Sequence, residues 1–167
     1  MVLGDWRARK KVEGGTSNPS KTGEKGQELI KFFEGCRLES YPDPASGGDP
    51  WTVGFGHTGP EVVPGLSITQ PVADQMLRDD LERFEKAVRD LITVPIDQSE
   101  FDALVSFSFN CGSGALAEST LRRRLNSGES KPAVFSEELP RWTTGGMAGL
   151  VRRRDAEVKL ANQKQFP

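Results

Sequence analysis

Histidine, cysteine and tyrosine are nearly missing from these 167 residues, which hold one His, two Cys and one Tyr. One histidine and two scattered cysteines supply neither the ligand set of a zinc site nor a Ser-His-Asp triad, so no metal is expected. Two thiols make no disulfide framework. Cys36 and Cys111 both sit in apolar helical patterns and read as small buried hydrophobes of a reduced compartment, with a bridge between them left open. There is no run of about 18 apolar residues, so no transmembrane helix is expected. The start, MVLGDWRARKK, has no apolar stretch ahead of its charges, so no secretory signal is expected either. A glycine loop with a phosphate-binding lysine is absent, and no cofactor is expected.

A strong charge of one sign is also lacking: the formal net charge is −2. Residues 1–25 carry six basic and three acidic groups, residues 26–95 six and twelve, and residues 96–167 ten and nine. The basic triplets Arg122–Arg124 and Arg152–Arg154 lie on helical patterns beside acidic neighbours and read as solvated or salt-bridged faces. Nucleic-acid binding would need a dominant basic face, so none is expected. The 35% hydrophobic and 28% charged fractions fit a globular domain with a real core.

Residues 1–25 are polar and rich in Gly, Ser and Lys, with Trp6 the main apolar feature, and read as an N-terminal extension. A helix is expected from Gly26 to Ser40, with Leu29, Ile30, Phe32, Phe33 and Cys36 on its apolar face and two prolines, Pro42 and Pro44, ending it. After the turn residues 45–50, Trp51 to His57 alternates with period two. Trp51, Val53, Phe55 and His57 share one face. Thr52, Gly54 and Gly56 share the other, where no large side chain blocks a ligand. Thr69 and Pro71 open a helix running to about Ile92, closed by Val94-Pro95, and Asp97 or Ser99 caps the next. That helix is apolar nearly all round from Phe101 to Cys111 and should be buried. Ser119 caps a short helix, another spans Pro132 to Leu139, and the last runs from Leu150 to about Gln163. One small β region among many helices is α+β, mostly helical.

Two carboxylates carry chemistry. Glu34 falls at the negative end of the first helix beside Phe33, and both features favour its protonated form, as a general acid requires. Nine residues on, Asp43 lies in a turn between two prolines, where a wet carboxylate stays ionised. Asp49 competes with it in the same loop, and Thr52 is placed to orient a water. An acid and an ionised carboxylate flanking a cleft are the parts of a glycosidase, and the inverting geometry sets them about 6.5–9.5 Å apart. His57 ends the strand on the apolar face and reads as a structural histidine paired with a carboxylate.

The stretches FFEGCRLESYPD, WTVGFGHTG, FDALVSFSFNCGSGALAESTLRRRLNSG and GLVRRRDAE, in order across about residues 26 to 163, resemble the phage-type lysozymes, the endolysin muramidases of glycoside hydrolase family 24. The resemblance implies a two-lobed fold: a small β-hairpin lobe over about 40–66, a linking helix over about 69–92 and a helical lobe over about 93–167 plus helix 1. The lysozyme domain is then 26–167. It implies cleavage of the β-1,4 bond between N-acetylmuramic acid and N-acetylglucosamine in peptidoglycan, by a monomer without cofactor and without stable membrane insertion. The protein would wait in the host cytoplasm until a separate membrane-permeabilising protein releases it to the wall, or be exported another way. By the same resemblance Glu34 is the acid, Asp43 the second carboxylate and Thr52 the catalytic threonine. Gly54, Gly56 and Asn110 line the cleft, Arg153 (or Arg152 or Arg154) reaches Glu34, and His57 pairs with Asp80. The loop from Asp43 to Thr52 is longer than in the best-known members, which keeps Asp49 beside Asp43 as second carboxylate. A lytic transglycosylase and a catalytically silent wall-binding module are the rival readings.

Overall fold

The computed structural model describes residues 17–162. Helix α1 (Glu24–Glu34) leads into a three-stranded antiparallel sheet, β1 (Arg37–Tyr41), β2 (Thr52–Gly54) and β3 (His57–Thr58), in the order β1-β2-β3. Helix α2 (Gln70–Leu91) then connects the sheet to α3 (Gln98–Cys111), α4 (Ser113–Glu118), α5 (Thr120–Asn126), α6 (Lys131–Glu138) and α7 (Ala148–Ala161). At 22 residues, α2 is about 33 Å long. One end of it packs on β2 and β3 and the other on α3 and α4.

Local chemistry explains the helix starts. Asp97 caps α3 through a capping box: its side chain accepts from the Glu100 N–H, while the Glu100 carboxylate accepts from the Asp97 N–H. Ser119 accepts from the Arg122 N–H at the start of α5. Proline occupies the first turn of α2 and of α6, where no intrahelical donor is lost. Every residue of α3 from Glu100 to Phe107 is buried: the apolar ones form the core, and Glu100, Asp102 and Ser106 bond Lys131, the Gly23 N–H and Glu157. Around it close Leu77, Leu81, Phe84 and Val88 of α2, Leu116, Leu121, Leu125, Val134, Phe135 and Leu160.

The start of the chain differs from the periodicity. The expected helix from Gly26 to Ser40 is a helix to Glu34 followed by a strand. Gly35 at φ 68° turns the chain, its N–H closing the helix on the Lys31 carbonyl. Phe32 is 80% exposed and Cys36, thrown off the helix, is exposed, so neither belongs to the core. Cys36 and Cys111 are both free thiols, Cys111 only half-buried. The expected strand Trp51–His57 is a hairpin: Gly54 (φ 65°) and Gly56 (φ 85°) break it, and Val53 pairs with His57. Val53 and Phe55 do turn inward.

Within the stretch read as an extension, residues 17–23 are tied to α2 and α3. Asn18 bonds the Val94 carbonyl and the Ile96 N–H, Thr22 bonds buried Glu85 through both N–H and hydroxyl, and the Gly23 N–H donates to Asp102. Gly26 closes the contact: a Cβ there would stand 2.7 Å from Asp102 Cβ, so only glycine lets α1 come this near. Trp6 and residues 163–167 lie outside the described residues.

Candidate active site

Glu34 ends α1, and the turn at Gly35 leaves its carboxyl 24% exposed in an open groove of about 500 Å³. Phe32, Asn110, Met147, Arg152 and Arg153 share that groove. Arg153 reaches across from α7 to place Nη1 2.5 Å from Glu34 Oε1. Of the two readings of the second basic triplet, solvated or salt-bridged, Arg153 and Arg154 take the salt-bridged one, with Glu34 and Glu157, but inside the fold. Arg153 and Arg154 are 4% and 0% exposed, and only Arg152 lies in the open. The first triplet holds to its reading through Arg124, which is salt-bridged to Glu129, Glu137 and Glu138.

Behind Arg153 lies a fully buried carboxylate that the motif reading missed. Glu157 accepts from the Ser106 hydroxyl at 2.7 Å and sits 3.4 Å from Arg153 Nε and 3.2 Å from Arg154 Nε. Arg154 in turn donates to Asn110 Oδ1 at 2.5 Å and approaches Cys111 Sγ at 3.2 Å. Burial pushes the Glu157 carboxyl up from its ordinary range, against the pull of Arg154, Ser106 and Arg153. Burial likewise pushes the Cys111 thiol up, against Arg154. A sequence signal existed: Glu157 follows Arg153 by four residues and Arg154 by three, which puts all three on one helix face.

The second carboxylate candidates differ. Asp43 accepts from the N–H groups of Ala45 and Ser46, at 2.5 and 3.1 Å, so its own turn fixes it. Asp49 is exposed and lines a separate groove with Trp51, Pro60 and Val63. Thr52 is half-buried at the start of β2, paired with Tyr41 and Thr58. Of the two glycines, Gly56 is exposed, and the place of its missing side chain lies 3.8 Å from Glu34 Oε2. Gly54 is buried instead, facing Ala73 and Ile68 at 3.5 and 3.7 Å. This corrects the expected open face, because the positive φ at Gly54 turns it onto α2.

His57 Nδ1 meets Asp80 Oδ2 at 2.8 Å, and Nε2 meets Glu61 Oε1 at 2.7 Å, a second partner outside the sequence reading. Only the protonated ring donates from both nitrogens. Burial opposes that charge, but the bonds to Glu61 and Asp80 prevail and hold the imidazole above the ordinary 6.5. The His57 bond holds Glu61 below its ordinary 4.5. A raised histidine value gives stability that is full below 6.5 and lost as pH rises through the folded value. A lowered glutamate value gives stability present above 4.5 and lost as pH falls through the folded value. Urea midpoints of wild type and Glu61→Gln should therefore differ most between about pH 5 and 6 and converge as the pH rises beyond 7. A gap that widens with rising pH would contradict the charged pair.

A family model described as Phage lysozyme matches residues 31–157. The endolysin of Bacillus phage PZA is 41% identical over 140 residues, covering 82% of this chain and 53% of the relative. The chain thus spans about half the length of that endolysin. The endolysin of Acyrthosiphon pisum secondary endosymbiont phage 1 is 38% identical over 144 residues, covering 82% of this chain and 94% of the relative. Among solved structures, the muramidase domain of SpmX from Asticaccaulis excentricus superposes with a TM-score of 0.75 at 36% identity, covering 89% of this chain and 100% of that one. The mostly helical fold with one small sheet is shared with that muramidase domain.

Proposed function

The chain belongs to the phage lysozyme family, and on that premise we propose that it is a muramidase that hydrolyses the β-1,4 bond between N-acetylmuramic acid and N-acetylglucosamine in peptidoglycan. The observation that carries this reading is Glu34 at the edge of an open groove with a buried arginine on one carboxylate oxygen. The second oxygen lies 3.8 Å from the place that a side chain at Gly56 would take.

In this reading Glu34 donates its proton to the glycosidic oxygen as the bond to the anomeric carbon breaks. Asp43, held by its turn, takes a proton from the attacking water, whose oxygen forms the new bond to that carbon. Thr52 orients the water. Asn110, with its Oδ1 occupied by Arg154, offers its amide N–H groups to the sugar. Gly56 leaves room for the ring, and Arg153 acts on Glu34 rather than on substrate. His57 and Asp80 secure the sheet to α2. Asp49 lines a different groove from Glu34, and Asp43 is taken as the second carboxylate on its place in the motif. The proposed layout keeps the small lobe over about 40–66, the linking helix and the helical lobe, in a monomer. The job fits release of phage progeny: the protein stays in the host cytoplasm and then acts on the wall. No helix among the described residues is long and apolar enough to cross a membrane.

Digestion of purified peptidoglycan tests the chemistry. Hydrolysis yields new reducing ends, and inversion yields the α anomer first. Anhydro-sugar ends together with an active Asp43→Asn variant would replace the reading with a transglycosylase. Binding to the wall without any new ends would replace it with a silent module.

A further inference from the structure

The chain of contacts behind Glu34 does not stop at Arg153. It passes to Glu157 and then to Arg154, which reaches Asn110 on the other side of the groove. One buried carboxylate therefore faces two guanidinium groups whose far ends hold two different groove residues. Its Oε2 makes no hydrogen bond and meets Arg154 Nε by charge alone. The anion divides itself between two arginines and takes the Ser106 hydroxyl as well.

We propose that Glu157 is a positioning residue for the reaction: its charge offsets Arg153 and Arg154 from within, so that Arg153 orients Glu34 without keeping it permanently anionic. The inference rests on the muramidase reading. The physical reason is that a guanidinium at 2.5 Å stabilises the carboxylate form of Glu34, which cannot donate a proton. A second anion on the same guanidinium reduces that effect. The other charged or titratable groups around the network are Cys111 of α3 and the exposed Arg152 of α7. Glu138, at the end of α6, is already held by Arg124 and Arg141.

The experiment measures peptidoglycan hydrolysis against pH for wild type, Glu157→Gln and Glu157→Asp, with the fold checked by circular dichroism. Glutamine keeps the shape and removes the charge. The alkaline limb of the profile should move to lower pH by about one unit, since losing one near charge shifts a carboxyl by that order. The acid limb should stay, and Glu157→Asp should bring the alkaline limb back. An unmoved limb in an active, folded Glu157→Gln enzyme overturns the proposal, because the carboxyl then carries no charge that Glu34 feels. If Glu157→Gln does not fold, Ser106→Ala is the test. It weakens the same anion, and the alkaline limb should shift the same way by a smaller amount; an unmoved limb again overturns the proposal. An inactive wild type would sink the muramidase reading instead.

Discussion

Glu34→Gln should lower wall lysis by about 10²- to 10⁴-fold while leaving the protein folded, the range expected when a general acid is removed. Glutamine has the same shape and keeps an oxygen for Arg153 Nη1 to donate to, but it has no proton to give the leaving oxygen. The fold should persist because Glu34 is not a core residue: its side chain is 24% exposed and its helix is held by Leu29 and Ile30 beneath it. Arg153 also keeps Glu157 as a counter-ion. Clearing of chloroform-treated Gram-negative cells, read beside a melting curve, separates the two outcomes. Lysis at the wild-type rate by the folded variant would remove Glu34 from the mechanism.

Glu157→Ala should be the most damaging single change to stability, costing about 3–5 kcal/mol, because removing one partner of a buried ion pair strands the other. Here Arg154, 0% exposed, loses its carboxylate partner, and Arg153, 4% exposed, keeps only Glu34 at its outer end. For a domain of this size the melting midpoint should fall on the order of 10 °C. Thermal and urea denaturation at neutral pH measure it. A loss below about 1 kcal/mol would mean that both guanidinium groups reach water in the variant, against the burial seen here.

Much of the helical architecture was legible because its signals are local. Asp97 with Glu100, Ser119 ahead of Thr120 and Pro71 after Thr69 mark helix starts by chemistry that acts over three or four residues. The apolar run of α3 announced its burial. The sheet was harder. Strand β1, Arg-Leu-Glu-Ser-Tyr, is mostly exposed and carries no apolar alternation, so nothing in it competes with the helical pattern upstream. In Trp51–His57 the alternation is real, yet two glycines at positive φ fold it back on itself, and a glycine's φ is invisible in a period. The missed α4, Ser113–Glu118, is six residues long with one buried side chain, Leu116. For the proposed site, Glu34, Asp43 and Thr52 are read from motif order. Glu157 and Glu61 do not, because their roles come from contacts across the fold.

Helix α2 has a consequence for the gap between the two proposed carboxylates. At its first turns Ala73 supports Gly54, and Asp80 holds His57, so the sheet rides on this helix. Glu34, by contrast, is moored to α7 through Arg153. The two proposed carboxylates thus hang from different supports, Glu34 from α7 and the turn of Asp43 from a sheet that rests on α2, with a single glycine turn between α1 and the sheet. On the muramidase reading, flexing of α2 would move the sheet and so change the aperture a glycan strand enters, and substitutions along the exposed flank of α2 are where that width could be tuned.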